Sequence, residues 1–273
     1  MGSHDGGLGS LFGTLVSLEH LFLVGIMSSL RLLAAFALMP PMGQKFLHGM
    51  VRRGIVAILA LYIGFGLPHD FVESFTVSNY VVYAGKEVMV GLLLGFVGAQ
   101  VFWIAESVGA LIDNQAGYNN VQMTNPLTGG QSTPVAEFLL HLVCVLFFSV
   151  GGMLVFLDAV FVSYRLWPIG AMTPELGGMT DAFVSSQIDA FMNGVVKFAA
   201  PVLIILILIE LGFGLLNRGA SKLEINNLAQ PVKGAVTVLM LALMTLTFTP
   251  QLKSLMLPSG LMESIASRLS AGR

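Results

Sequence analysis

Val81-Val-Tyr-Ala-Gly-Lys-Glu-Val-Met-Val-Gly-Leu-Leu-Leu-Gly-Phe-Val-Gly-Ala-Gln-Val-Phe-Trp-Ile-Ala105 is apolar except for one charged pair, Lys86-Glu87, and one amide, Gln100. A membrane span needs about 20 residues, so this stretch is long enough for one. Gly91, Gly95 and Gly98 fall on one helix face, a pattern that lets a second backbone approach closely. Five other apolar runs accompany it: Leu11–Met39, stopped by Pro40-Pro41, then Gly54–Leu67, Val135–Val162, Phe191–Leu216 and Val232–Phe248. Together they predict an all-α, polytopic, membrane-associated helical protein.

Composition points the same way. Of 273 residues, 55% are hydrophobic and 10% charged, and the mean hydropathy is +0.84. A soluble domain carries about 25% charged residues. The 13 basic and 15 acidic residues here cannot coat a globule of this size. Most of the surface must meet lipid or other apolar protein. A net charge of -2 and small basic clusters exclude a nucleic-acid groove. The single cysteine, Cys144, lies in an apolar run and reads as a small hydrophobe. Residues 1–10 are glycine-rich without Lys or Arg, so they read as a flexible leader rather than a cleaved signal. Lys45, Arg52 and Arg53 in the first connection, and Arg218, Lys222 and Lys233 around the fifth, place those connections in the cytoplasm. Lys253, Arg268 and Arg273 in the tail oppose that placement.

Several charges sit inside or at the ends of apolar runs: Arg31, Lys86, Glu87, Glu106, Asp158 and Glu210. Each would cost about 2.5–3.5 kcal/mol at a bilayer centre unless paired or facing water. Snorkelling or a buried structural pair explains any one of them; a polar path or a subunit contact is the other reading. Their number favours helices packed against protein.

Between Glu106 and Pro134 the chain turns polar without any Lys or Arg. Asn114, Gln115, Asn119, Asn120, Gln122, Asn125 and Gln131 can pair with irregular backbone, and Gly117, Gly129 and Gly130 allow bends. Asn125-Pro126 disfavours a continuing helix. Two readings stand, an exposed loop and a re-entrant or pore-lining element, and length favours the second. A second polar island, 217–233, carries Asn217, Arg218, Lys222, Glu224, Pro231 and Lys233. It reads as the tip of a helical hairpin, either a plain turn or a docking surface.

No P-loop, HExxH, GxSxG or CxxC pattern occurs, and the five histidines have no ligand spacing. Enzyme chemistry, cofactors and metals are unsupported. A self-contained small-solute transporter using the intramembrane charges is the alternative on composition.

A family resemblance rests on several stretches in order. They are Lys86-Glu-Val-Met-Val-Gly-Leu-Leu-Leu-Gly95, Phe102-Trp-Ile-Ala-Glu106, Gly109, Asp113-x-Gln115-x-Gly117 and Asn125-Pro-Leu-Thr-Gly129. They continue through Thr133-Pro134, Phe147-Phe148, Gly151-Gly152, Ser163-Tyr-Arg-Leu-Trp-Pro168, Leu215-Leu-Asn-Arg218 and Leu228-Ala-Gln-Pro-Val-Lys233. Taken together they resemble the type III secretion export-gate family, FliR in flagella and SctT in injectisomes, the injectisome branch more than the flagellar one. Where that family often reads Arg-x-Ala-Pro-Gln-Leu-Asn, this chain has Arg218-Gly-Ala-Ser-Lys-Leu-Glu224.

The resemblance implies a non-enzymatic subunit without cofactors, set in the bacterial inner membrane within the secretion-system base. It implies an SctR-like helical portion over 11–190, an SctS-like hairpin over 191–249 and a tail over 250–273. One copy would join five SctR-like and four SctS-like subunits, with an SctU-like switch protein near the 217–233 tip. The helices would pack largely against these partners, with lipid around the assembly. Unfolded polypeptides would pass through, and a plug over about 113–131 would close the channel beforehand.

Overall fold

The computed structural model of this chain describes residues 23–43, 46–65, 77–118, 123–124, 131–171, 180–219 and 225–256. The described residues are almost entirely helical. Helix α1 covers Leu23–Leu38 and gives way to a 3-10 turn, Pro40–Met42. Then come α2 (Gly49–Phe65), α3 (Val77–Ala116), α4 (Pro134–Ser149), α5 (Gly152–Leu166), α6 (Thr180–Gly219) and α7 (Ile225–Met256). A short antiparallel pair, β1 (Met123–Thr124) and β2 (Gln131–Ser132), joins Met123 to Ser132 and Thr124 to Gln131.

The helices differ from the hydropathy runs in instructive ways. The polar stretch after Ala105 does not end α3, which continues to Ala116. The run Val135–Val162 is two helices. Val150 caps α4, and Gly151 follows with φ +83, the left-handed conformation that glycine adopts most readily after a helix. Helix α6 begins at Thr180, well ahead of the apolar run Phe191–Leu216, and α7 runs beyond Pro250 to Met256. Pro201 lies within α6, where it removes one backbone donor without ending the helix.

Three helical stretches are long and apolar enough to cross a membrane: Tyr80–Ala116, Ser185–Gly219 and Leu228–Thr245. Counting α4 and α5 as one broken span makes four. At 40 residues each, α3 and α6 are about 60 Å long at 1.5 Å per residue, twice the roughly 30 Å of a hydrocarbon core. Neither can lie wholly in lipid chains while standing upright.

Contacts divide the chain into two compact units, residues 1–99 with 156–179, and residues 100–155 with 180–273. In the first unit Gly91 and Gly95 of α3 lie against α1. A Cβ at Gly91 would fall on the Arg31 carbonyl, and one at Gly95 would come 2.5 Å from that of Ala35. A Cβ at Gly98 would meet the Phe156 ring at 2.7 Å. The glycine spacing therefore does what it predicts: two backbones touch, leaving no room for a side chain. Gly91→Leu or Gly95→Leu is expected to lower the stability of the purified protein in detergent by at least about 1–3 kcal/mol, the usual cost of overpacking a tight site. A thermal melt beside Gly85→Leu, at a position with open space, checks this.

In the second unit, α3 from Gln100 onward packs on α4 and α6. Phe102 stacks edge-on against Phe147 at 5.1 Å, Gln100 Nε2 donates to the Gln187 carbonyl at 3.1 Å, and Gly194 leaves space for Ile104. Helices α6 and α7 pack on each other.

Candidate functional site

In the first unit, the charges within the apolar runs form one buried cluster. Arg31 and Glu87 are fully buried and meet side by side: Arg31 Nε donates to Oε2 at 2.7 Å and Nη2 to Oε1 at 2.9 Å. The remaining guanidinium donors reach Ser163 Oγ at 3.0 Å and the Trp167 carbonyl at 2.9 Å, and the group lies 4.0 Å over the Tyr164 ring. Lys86 Nζ sits 3.0 Å from Glu87 Oε1 and donates to the carbonyls of Pro168, Ile169 and Ala171. Those carbonyls follow the C-terminal end of α5, where backbone acceptors run out of helical partners and a cation is favoured. The Lys86-Glu87 pair and the Ser163–Pro168 stretch, far apart in sequence, thus serve one structure. Two cations and one carboxylate remain buried because backbone oxygens supply the missing negative charge. This is a structural cluster, with every charge answered from inside the unit. Asp158, by contrast, is exposed on α5 and has no ion-pair partner among the described residues.

The second unit gathers the sequence candidates around the last turns of α3. Asp113 is fully buried and works at a distance, accepting from Val135 N at 2.9 Å and Ala136 N at 3.0 Å. Pro134 has no N–H, and Thr133, the residue before α4, makes no side-chain capping bond. A carboxylate borrowed from α3 therefore satisfies the open donors of α4, where a negative charge is favoured. Gly109, one turn earlier, lets α4 approach: a Cβ there would lie 2.6 Å from Ala136 N.

Gln115 faces the other way. Its Nε2 donates to Glu210 Oε2 at 2.7 Å, and Lys233 Nζ donates to the same oxygen at 3.2 Å and to the Gln115 carbonyl at 3.3 Å. Lys233 is buried, while the Glu210 side chain is 58% exposed. Three residues that read in the sequence as parts of a plug, a hairpin tip and an intramembrane charge are one cluster here. Immediately after it, Gly117 adopts φ +84 and ends α3, its N–H on the Asn114 carbonyl at 3.3 Å. A Cβ at Gly117 would fall on the Gln230 amide, and one at Gly234 would meet the Tyr118 hydroxyl at 2.6 Å. The end of α3 is thus fastened to α4 on one side and to α6 and α7 on the other.

Asn114 and Glu106 are exposed on α3, and Gln131 begins β2. Asn217 and Arg218 close α6, and Pro231 and Lys233 lie inside α7 rather than in a turn. Asn119, Asn120, Gln122, Asn125, Pro126, Gly129, Gly130, Lys222 and Glu224 lie outside the described residues. Sequence reasoning did not single out Tyr118, whose signal is its place beside Gly117, or Gln230, which sits within the matched stretch Leu228–Lys233.

A family model described as bacterial export proteins, family 1, matches residues 22–258, a span that includes both clusters. The chain belongs to this family. It is 35% identical over 217 residues to the Yop proteins translocation protein T of Yersinia pestis, covering 78% of this chain and 82% of that one. It is 27% identical to the surface presentation of antigens protein SpaR of Salmonella typhimurium over 238 residues, 86% of each chain. The flagellar biosynthetic protein FliR of Bacillus subtilis is 26% identical over 226 residues, 82% of this chain and 87% of that one. The greater likeness to the Yersinia protein than to the flagellar one puts this family member on the injectisome branch of the SctT/FliR type. As a bacterial export protein of family 1, it is a component of a protein-export apparatus.

Proposed function

We propose that this export protein is a non-enzymatic subunit of the type III secretion export gate in the bacterial inner membrane, and that the segment after α3 closes the channel before unfolded proteins pass. The observation that carries this reading is the rooting of that segment at both ends. It leaves α3 at Gly117, seated against Gln230 beside the Gln115–Glu210–Lys233 cluster. It re-enters the helical frame at Pro134, where Asp113 caps α4, and the β1–β2 pairing draws its two arms together. Amide-rich chain held between rigid roots suits a closure that must block without binding either charge sign strongly.

On this reading the α6–α7 pair is the SctS-like hairpin, with its 217–233 region turned toward an SctU-like partner. The exposed apolar faces of α6 and α7 meet neighbouring subunits and lipid, within an assembly of five SctR-like and four SctS-like copies. These assignments draw on the family and on apolar exposure such as Leu208 at 62%, Leu215 at 68% and Val238 at 66%.

Gly117→Val tests the closure. A β-branched residue at φ +84 is strained by at least about 1–2 kcal/mol and also collides with Gln230. The expected result is raised ion leakage in cells making the complete gate, with assembly retained. Unchanged leakage across this and several other substitutions in 113–131 would sink the closure.

A further inference from the structure

Helix α2 has a cationic start and an apolar remainder. Arg52 and Arg53 stand near its first turn, and the whole helix contains no acidic residue. The backbone dipole is positive at a helix N-terminus, so two cations there need an anion from outside the helix. The described residues supply none. Arg52 Nε is buried without a hydrogen-bond partner among them, and Arg53 Nε donates to the Gly49 carbonyl of its own helix at 3.1 Å. Neither arginine has an ion-pair partner among the described residues. Arg31 and Lys86 of the same unit, by contrast, are each held by Glu87 and by backbone carbonyls.

Beyond the arginines, Gly54–Phe65 carries no charge and, apart from the Tyr62 hydroxyl, no polar side-chain atom. One side of this stretch, Val56, Ala60, Ile63 and Gly64, is buried, with Gly64 facing Val24 of α1. The opposite side is open: Ile58 is 70%, Tyr62 71% and Phe65 74% exposed. At 1.5 Å per residue the stretch is about 18 Å long, close to half of the roughly 30 Å hydrocarbon core. Two coverings are available for it, protein and lipid. A protein interface carries about one hydrogen bond per 100–200 Å², and this side has almost no group to make one. Acyl chains ask for none. A lipid also places its charge at one end, as α2 does.

We infer that α2 is a one-leaflet anchor, its open side against acyl chains and its Arg52–Arg53 end holding the phosphate of an anionic phospholipid. The guanidinium fork matches phosphate oxygens, and arginine stems run along apolar surface while their heads stay at headgroup level. The inference rests on the inner-membrane part of the proposed function and is independent of the closure.

The test uses the complete gate, purified from membranes with its co-expressed neighbours and placed in bilayer discs of phosphatidylcholine and phosphatidylglycerol. Ile58→p-benzoylphenylalanine is irradiated there. Adducts with acyl chains are expected; adducts with sister subunits alone, or none, would overturn the lipid-facing side. Retained phosphatidylglycerol is then counted by mass spectrometry of the intact complex. Each arginine near an anionic surface contributes roughly a factor of five, so Arg52→Gln with Arg53→Gln is expected to lower retention about tenfold or more. Arg165→Gln, at an exposed arginine of α5, is expected to leave retention unchanged. Equal loss in Arg165→Gln, no loss in the double variant, or full displacement of the lipid by inorganic phosphate would each overturn the headgroup site. If the double variant fails to assemble, Arg52→Lys with Arg53→Lys, which keeps the charge and removes the fork, is expected to retain an intermediate amount, and wild-type retention there overturns the site. A chain missing from the membrane fraction would remove the inner-membrane reading as well. A chain present in that fraction without acyl adducts removes the anchor alone.

Discussion

Glu87→Ala is expected to destabilise this export protein more than any other single replacement considered, by about 3–5 kcal/mol, because it breaks a buried ion pair and leaves its partner charged. The loss is aggravated by local geometry. Arg31 loses a two-point contact at 2.7 and 2.9 Å, and Lys86 loses a carboxylate at 3.0 Å, so two buried cations face each other without a counter-charge. Ser163, the carbonyls of Trp167, Pro168, Ile169 and Ala171, and the Tyr164 ring remain, but none carries a formal negative charge. Thermal unfolding in detergent and the amount of chain in the purified complex are the measurements. Arg31→Met combined with Glu87→Leu is expected to recover much of the loss, since removing both partners strands no Arg31–Glu87 charge. Wild-type stability in Glu87→Ala would show that the cluster is dispensable.

Asp113→Ala is expected to cost less but to be more diagnostic. Two buried backbone donors, Val135 N and Ala136 N, lose their acceptor, and each unsatisfied buried group costs about 1–3 kcal/mol. The start of α4 also loses a favourable charge. Asp113→Asn keeps one acceptor oxygen and is expected to fall between wild type and alanine. The informative comparison is with Gly117→Val. A cap should lower melting temperature and assembly together, and the gates that do assemble should leak no more than wild type. A normally assembled Asp113→Ala gate that leaks would move Asp113 from the frame into the closure.

These two residues show how far the sequence reaches. Asp113 is placed in a plug by the family resemblance, which maps one onto about 113–131. Its helical place and its capping role depend on α4, whose first residues come 22 positions later. Gln115 has the same history: Glu210 and Lys233, 95 and 118 positions away, decide what it does. Arg31 and Glu87 stand out as intramembrane charges in the sequence, but the adjacent Lys86-Glu87 is the pair visible there. The closer pairing with Arg31 spans 56 positions.

What the sequence determined by itself is the all-α, apolar character and the close helix contact at Gly91 and Gly95. Hydropathy, a lack of charge and glycine at helical spacing are local properties, and the solvent around each segment follows from them. The order of the matched stretches determined the family. Only the tertiary structure decided where α3 ends, where the fourth run breaks, and which polar groups satisfy each other. Those outcomes turn on hydrogen bonds between residues tens of positions apart. A buried donor or carboxylate takes whatever partner folding brings within 3 Å, and nothing local in the chain specifies which one that is.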